Sequence, residues 1–255
     1  MNPAPLPIWT ETITVKPFET DFRQNWKPAF IFRALQSAAT NHAANLGFDY
    51  REMFKTDTSW VLSRLLLRLS CTPQAGDRLV LRTFPKGIQQ KIFFLRDFFI
   101  LGEDGREFGR ATSAWLLINT RTRRILSQQA LDGSLPENAG LFALDETLDK
   151  INPPEDMPVR REVEAAYSSI DLMGHVNNAA YIEWISDCFS HADYQSRRLA
   201  WLQINYTSEV KPGERVAVHA ASNPKEFNTW QFLGANLSNG TKAFEAALGW
   251  ENTAV

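Results

Sequence analysis

Gly76-Asp77-Arg78 recurs further along the chain as Gly213-Glu214-Arg215, and this repeated strand start decides how the sequence is interpreted. The two copies are separated by 213 − 76 = 137 residues. Two further pairs, a turn glycine and a tryptophan in each half, are separated by 135 residues (Gly105 and Gly240, Trp115 and Trp250). Such a near-constant offset over separate features predicts two copies of one folding unit. The period is too long for a solenoid, so a duplicated domain is expected.

The predicted elements follow one order in both halves. In the first half, alternating apolar residues predict strands, and a small-residue stretch from Pro28 to about Leu46 predicts a helix (strands at 10–15, 60–71, 78–83, 91–101 and 107–119). The second half predicts a helix at 178–189 in the same place (strands at 161–170, 200–210, 216–221, 229–237 and 241–250).

One long helix followed by an antiparallel meander is the element order of a hot-dog fold. We therefore expect an α+β fold, a tandem double hot-dog in which each unit is a long helix wrapped by a curved antiparallel sheet. Residues 1–127 form the predicted N-terminal unit, and residues 159–255 form the C-terminal unit. Residues 128–158 contain scattered Gly, Pro, Asn and Asp, which predicts a crossing linker.

The charge, cysteine content and hydropathy of the chain argue against several classes of function. The formal net charge of −2 gives no electrostatic case for binding nucleic acid or an anionic membrane. The two cysteines, Cys71 and Cys188, form no metal-like pair, so neither a zinc site nor a disulfide framework is expected. Residues 1–10 lack a signal-peptide pattern, and no apolar run approaches about 18 residues, so we expect a cytoplasmic protein with no membrane insertion.

One segment between a predicted strand and a predicted helix carries the chemistry. Asp171 and His175 precede the helix, and Gly174 between them permits a tight turn. Asn177 or Asn178 can cap the helix, whose free N–H groups suit a carbonyl oxygen that gains negative charge. These are the groups that acyl transfer to water requires: oxyanion donors, a base and an orienting group.

The string Asp-x-x-Gly-His-Val-Asn-Asn-x-x-Tyr-x-x-Trp at 171–184 resembles the active-site signature of the acyl-acyl carrier protein thioesterases, the plant-type enzymes and their bacterial relatives. The first half resembles them as well, in order along the chain (60–64, 76–77, 96–98 and 110–115). The resemblance implies hydrolysis of a fatty acyl thioester, with acyl carrier protein and its pantetheine-linked acyl chain as the partner and no cofactor. It implies catalytic roles for Asp171, His175 and Glu209, and substrate-binding roles for Gly174, Val176, Asn177 and Asn178.

Two positions depart from the family pattern. Met173 stands where the family has Asn, and a thioether cannot donate the hydrogen bond of that amide. Val210 stands where the plant enzymes have Cys after the Glu, which argues against a thiol nucleophile. An acyl-CoA thioesterase, or a non-catalytic acyl-binding protein with a decayed site, therefore remain alternatives.

Other assignments rest on weaker signals. Trp26 falls near the position expected for His175 in the first half, with no matching acid, so this half is expected to supply structure and the acyl pocket. Arg121, Arg123 and Arg124 are interpreted as a solvated strand end, with a docking patch for an acidic carrier as the alternative. The identity of the catalytic base, Asp171 or Glu209, and the possibility of a homodimer stay open.

Overall fold

A single antiparallel sheet runs through both halves of the chain in the computed structural model, which describes residues 5–131 and 133–252. The first half contributes six strands (β1 Trp9–Thr14, β2 Thr58–Leu69, β3 Arg78–Gln89, β4 Phe93–Gly102, β5 Glu107–Asn119 and β6 Ile125–Leu126). The second half contributes five (β7 Val159–Glu164, β8 Arg197–Tyr206, β9 Arg215–Ser222, β10 Thr229–Asn236 and β11 Lys242–Asn252). The helices are α1 Pro28–Asn45, α2 Tyr50–Lys55, α3 Asn178–Ser186 and α4 His191–Ser196.

The strand order shows that the two halves are related by an approximate twofold axis. The order is β1-β3-β4-β5-β2 in the first half and β8-β11-β10-β9-β7 in the second, joined where β2 pairs with β8. Leu66 pairs with Gln203, and 203 − 66 = 137 is the sequence offset of the repeat. Leu65 pairs with Ile204, and Leu67 pairs with Leu202. Adding 137 to the numbers of Leu65 and Leu67 gives Leu202 and Ile204, so the repeat converts each of these two pairs into the other. The predicted α+β double hot-dog is confirmed, and its two units join edge to edge into the one sheet.

The helix of each unit packs against the sheet and against the other helix. Pro28 begins α1, where its missing N–H costs no hydrogen bond. The face of α1 that the sheet covers is buried (Ala29, Ile31, Phe32, Leu35, Ala38 and Ala39). Ala179, Ala180 and Ile182 of α3 are buried in the same hydrophobic cluster as α1. At the edge of this contact, Arg33 and Glu183 form an ion pair of 2.8 Å.

The predicted boundaries are wrong at several places. The strand predicted at 78–83 continues to Gln89, and the strand predicted from 200 begins at Arg197. The strand predicted at 161–170 ends at Glu164, because the chain then makes a 3-10 turn at Tyr167–Ser169. The strand predicted at 200–210 ends at Tyr206, because the next two amides both donate to the carbonyl of Ala243 and leave the ladder. The helix predicted at 178–189 ends at Ser186. The short helices α2 and α4 were not predicted, because six residues carry too little periodicity.

The segment around Ala143, which follows the first unit, is hydrogen-bonded to the outer face of the sheet. Asp97 is fully buried there and accepts hydrogen bonds from Thr112 Oγ1 at 2.6 Å and from the Ala143 amide at 2.5 Å. Lys86 Nζ lies 3.3 Å from the same carboxylate, so the buried charge is paired. The linker boundaries at 128–158 stay a prediction. The predicted units begin at residue 1 and end at residue 255, and both of these residues lie outside the described ones, as does residue 132.

Candidate active site

A tight loop from Asp171 to Asn177 places the two predicted catalytic residues of the C-terminal unit side by side. The amide of Asp171 donates to the carbonyl of His175 at 3.0 Å, and the amide of Gly174 donates to the carbonyl of Asp171 at 3.0 Å. Gly174 has a φ of +78°, a conformation that favours glycine because it has no Cβ. Asp171 Oδ1 accepts a hydrogen bond from the Met173 amide at 2.8 Å, so the side chain of Asp171 stabilises the turn that it begins.

His175 lies between two carboxylates. Its Nδ1 is 3.8 Å from Asp171 Oδ1, and its Nε2 is 3.6 Å from Glu209 Oε1. The three side chains are 25%, 23% and 31% exposed in the order His175, Asp171, Glu209, so solvent reaches them only in part. The structure therefore brings together all three residues that the sequence predicts as catalytic.

Glu209 reaches this cluster from a loop, because β8 ends at Tyr206, although the sequence predicts a strand over 200–210. The loop is held against the Asp171 turn because the amide of Val176 donates to the carbonyl of Val210 at 2.9 Å. Arg123 Nη2 donates to Glu209 Oε1 and forms an ion pair with it. Arg123 is exposed in the turn after β5, as the interpretation of a solvated strand end predicts, and its guanidinium in addition contacts a predicted catalytic carboxylate.

The start of α3 supplies N–H donors beside the cluster. Asn177 caps the helix, with its Oδ1 accepting from the Ala179 amide at 2.9 Å. The hydrogen bonds of the described residues include no acceptor for the Asn178 N–H, which is therefore a free donor at a helix N-terminus. Tyr206 Oη donates to the Asn178 carbonyl at 2.9 Å, and burial raises the pKa of this phenol, so it stays a donor.

An apolar cavity of about 280 Å³ opens beside the same turn. Leu172 and Met173, which lie between Asp171 and His175 in the chain, line it. Apart from Leu135 of the segment 128–158, the remaining wall belongs to the N-terminal unit, and it is mostly aromatic or aliphatic (including Ala39, Ala43, Phe48, Met53, Trp60, Phe94 and Trp115). The chain segment that carries the cluster therefore also forms part of the cavity wall.

The first unit contains a matching loop that the sequence pattern did not reveal. The amide of Asp21 donates to the carbonyl of Asn25, and the amide of Gln24 donates to the carbonyl of Asp21, as in the Asp171 loop. Trp26 lies one residue beyond the position that matches His175, and the expectation that this half has no matching acid is wrong. Asp21 matches Asp171 with an offset of 171 − 21 = 150, and Asn25 takes the place of His175. The offset falls by 150 − 137 = 13 residues between this loop and Gly76, and nine of these lie in the helix, since α1 has 18 residues and α3 has nine.

No cysteine of the chain lies in the cluster. Val210 is fully buried at the family's cysteine position, and burial raises the pKa of the Cys188 thiol to about 11. Within residues 5–131 and 133–252, no group of His, Cys, Asp and Glu side chains has the arrangement of a metal site. Over the same ranges, no helix has the length and apolar character needed to cross a membrane.

Comparisons with known proteins identify the family of the chain. A family model described as the acyl-ACP thioesterase N-terminal domain matches residues 8–129, and one described as the acyl-ACP thioesterase C-terminal domain matches residues 154–252. The oleoyl-acyl carrier protein thioesterase 1 of Arabidopsis thaliana is 26% identical over 227 residues, which are 82% of this chain and 62% of that protein. An acyl-[acyl-carrier-protein] hydrolase of Cuphea viscosissima, FATB2, is 23% identical over 79% of this chain, and the chain spans about half, 52%, of its length.

Solved structures show the same architecture over nearly the whole chain. An acyl-ACP thioesterase from Bacteroides thetaiotaomicron superposes with a TM-score of 0.80 and 26% identity, covering 96% of this chain and 98% of its own. The 12:0-ACP thioesterase from Umbellularia californica gives a TM-score of 0.80 at 20% identity over 96% of this chain and 98% of its own, a similarity that supports the fold. Since the two family models together match most of the sequence, the chain belongs to the acyl-ACP thioesterase family.

Proposed function

We propose that the protein hydrolyses the thioester of a fatty acyl chain carried on acyl carrier protein and releases the free fatty acid. The observation that carries this proposal is the position of His175 between Asp171 and Glu209, in a turn that also lines an apolar cavity. A thioester hydrolase needs both parts: groups that handle a proton and stabilise charge, and an apolar wall for the acyl chain.

In this proposal the N-terminal unit supplies the acyl pocket and the C-terminal unit supplies the chemistry. The cavity volume of about 280 Å³ is near the lower end of the roughly 300–1,000 Å³ of small-molecule sites. Trp60, Phe94 and Trp115 line it, and burial of an acyl chain against such side chains is favourable by about 25 cal/mol per Å² of apolar area. Leu172 and Met173 then lie where the chain leaves the cavity towards the reacting carbonyl.

The reaction proceeds by attack of water on the thioester carbon. The water oxygen forms the new C–O bond, a carboxylate accepts the water proton, and the C–S bond breaks to release the thiol with that proton. We assign the base to Glu209, which faces Nε2 of His175, and an orienting role to Asp171, which is held by the Met173 amide and faces Nδ1. Thioesters are already reactive, so a positioned base and oxyanion donors suffice without a covalent nucleophile.

The start of α3 stabilises the developing negative charge. The free N–H of Asn178 and the positive end of the helix suit the carbonyl oxygen of the substrate. Asn177 holds this end of the helix as its cap, while Gly174 and Val176 shape the loop that presents His175. These contacts support the substrate-binding roles assigned to the four residues.

Acyl carrier protein is the proposed carrier. The support comes from the relatives, which are named as acyl carrier protein hydrolases, and from the position of Arg123 beside Glu209, where a basic side chain could meet an acidic carrier. Cytoplasmic location and a homodimer stay predictions.

A hydrolysis assay tests the function directly. The protein is incubated with acyl chains of graded length on acyl carrier protein and with the same chains on CoA, and free thiol is measured. Turnover that prefers the carrier protein supports the proposal. Faster turnover of the CoA thioesters would favour an acyl-CoA thioesterase, and acyl binding without any thiol release would indicate a decayed site.

A further inference from the structure

Arg96 of β4 is a buried cation in the wall of the first cavity, the apolar one beside the Asp171 turn; a second cavity, of about 500 Å³, lies beside the Asp21 loop. Arg96 is 8% exposed, and its Nη1 lies 2.8 Å from Nδ1 of His42 in α1, so its side chain is on the face of the sheet that α1 covers. Phe94 precedes it by two residues on the same strand, therefore shares this face, and lines the same cavity. The cavity proposed for the acyl chain thus has a charged group in its wall.

No carboxylate of the described residues forms an ion pair with Arg96. Asp97, the next residue, points to the opposite face of the sheet and is paired there with Lys86 at 3.3 Å. The contacts of Nη1 are to neutral acceptors, His42 Nδ1 and, at 3.3 Å, Thr83 Oγ1. Burial lowers the pKa of Arg96 to about 10 and no acid opposes this shift, so the guanidinium is charged at neutral pH without a counter-charge. A buried charge of this kind is strongly unfavourable unless an anion meets it.

The edge of this guanidinium formed by Nε and Nη2 is open. Both hydrogen bonds of the side chain use Nη1, and within the described chain Nε and Nη2 have no acceptor. The enclosed polar side-chain atoms without a partner, over the same residues, belong to Trp26, Glu245 and Trp250. Nε and Nη2 of Arg96 are therefore not enclosed, and the space that Arg96 borders is the first cavity. Two parallel N–H donors on one edge match the two oxygens of a carboxylate.

The position of Arg96 in the sheet is far from the catalytic cluster. One row of paired residues crosses four neighbouring strands, β4, β5, β2 and β8 (Arg96, Ser113, Leu65 and Ile204). Three strand spacings of about 4.8 Å separate Arg96 from Ile204 in this row, or roughly 14 Å along the sheet. Glu209 follows Ile204 by five residues, beyond the end of β8. The guanidinium therefore meets the far part of an acyl chain and not its thioester.

We propose that the first cavity takes acyl chains that end in a second carboxylate, which Arg96 binds through Nε and Nη2. The substrate class is then the thioester of an α,ω-dicarboxylic acid, and the product is the free dicarboxylate. This inference rests on the proposed function, because it names the acyl group of the same hydrolysis. A methyl-ended chain would place apolar hydrogens against a charged edge that no other group satisfies.

The acyl chain is varied first, in the unchanged protein. Three series of graded length on acyl carrier protein are compared: methyl-ended chains, ω-carboxy chains, and the methyl esters of the ω-carboxy chains. At the length that reaches Arg96, the ω-carboxy chain should have a KM about tenfold below the other two, the size of a hydrogen bond to a charged group. A ratio below roughly threefold at every length would overturn the proposal, because a bidentate charged contact contributes more than that.

Arg96→Gln should abolish this preference, because an amide carries no charge to meet the carboxylate. The KM of the ω-carboxy chain should rise to that of the methyl-ended chain or above it. Arg110→Gln is the matched control, since this guanidinium pairs with Glu107 and does not line the cavity, and it should keep the preference. A thermal melt checks the fold of both variants. A preference that survives in folded Arg96→Gln would overturn the assignment, and if this variant does not fold, the three series in the unchanged protein decide alone.

Binding without turnover separates this inference from the proposed function. Pantetheine thioethers, in which a CH₂ group replaces the thioester carbonyl, cannot be hydrolysed and are titrated by calorimetry with and without the ω-carboxylate. Tighter binding of the ω-carboxy thioether that depends on Arg96, in a protein that releases no thiol from any thioester, would support the carboxylate site and refute the hydrolase. Hydrolysis of all chains with no preference for the ω-carboxylate would support the hydrolase and refute the carboxylate site.

Discussion

Nε2 of His175 lies 3.6 Å from Oε1 of Glu209, although the two residues come from separate loops. Their approach is fixed by the backbone, because the amide of Val176 donates to the carbonyl of Val210, each one residue further along. The side chains can therefore be changed to isosteres without loss of the contact that brings the two loops together. This makes the cluster suitable for kinetic tests in which folding is held constant.

Glu209→Gln should lower kcat by roughly 10² to 10⁴, the usual effect of removing a positioned general base. The amide keeps the size of the carboxylate but cannot accept the water proton. The measurement is kcat and KM on the best acyl-acyl carrier protein substrate, with a thermal melt as the control for folding. A variant with kcat within a factor of two of the parent would move the base from Glu209 to another group.

Asp171→Asn should lower kcat steeply while the fold is kept, because the Asn Oδ1 can still accept from the Met173 amide and preserve the turn. His175→Ala should also be severe, since it removes the group between the two carboxylates. Near-full kcat in both variants, measured on the same substrate as above, would show that the site is assigned to the wrong loop. The search would then move to the first unit.

Met173→Asn should keep kcat or raise it by up to about tenfold, the value of one added hydrogen bond. Met173 is 43% exposed and lines the first cavity, so an amide fits there without entering the core. Leu172→Asn is the matched control, because it places the same amide at the neighbouring position of the cavity wall. A loss of more than tenfold in Met173→Asn alone would mean that the thioether contributes to acyl binding.

Arg123→Met should change the kinetics on acyl-acyl carrier protein and on acyl-CoA differently. Arg123 pairs with Glu209, so its removal should raise KM for acyl-acyl carrier protein about two- to fivefold while kcat/KM for the acyl-CoA stays equal or rises. Arg78→Met is the control, because this exposed guanidinium pairs with Glu103 instead. Equal effects on both carriers would leave Arg123 with no part in carrier recognition.

Much of this architecture could be predicted from the sequence. The repeat offsets and the alternating strands gave the double hot-dog, because sheet pairing across a twofold axis requires two units with the same element order. The offset of 137 between Gly76 and Gly213 reappears in the pair Leu66 and Gln203 at the centre of the sheet. The proximity of Asp171 and His175 could be predicted because the two residues are only four positions apart and Gly174 between them permits a tight turn.

The rest depends on contacts between residues distant in the chain. Arg123 and Glu209 are 86 positions apart, and no local pattern indicates that their side chains meet. The matching loop at Asp21 was missed because the offset is 150 at this loop and 137 at Gly76, and nine of the 13 residues of difference lie in the longer helix α1. A repeat search that allows one insertion between the loop and β2 would have aligned Asp21 with Asp171.

His42 makes the stability of the N-terminal unit depend on pH. Its ring is fully buried, with Nδ1 2.8 Å from Arg96 Nη1 and Nε2 2.8 Å from the carbonyl of Leu6. Since a guanidinium can only donate and a carbonyl can only accept, the neutral ring with its proton on Nε2 satisfies both contacts. Burial lowers the pKa of His42 to about 4, and the charge of Arg96 acts in the same direction.

The free energy of unfolding should therefore fall on acidification through this histidine. The unfolded chain binds the proton near pH 6.5 and the folded chain only near pH 4, so the stability is fully present above pH 6.5 and is lost as the pH falls from 6.5 to 4. The loss is roughly 3 kcal/mol at most, at 1.36 kcal/mol per pKa unit. His42→Gln should be less stable at pH 7.5 but should lose less stability over that interval, as measured by urea unfolding at each pH. Carboxylates titrate in both proteins, so the difference between the two slopes isolates His42. Parallel slopes would mean that this ring binds its proton over the same pH range in the folded and the unfolded chain.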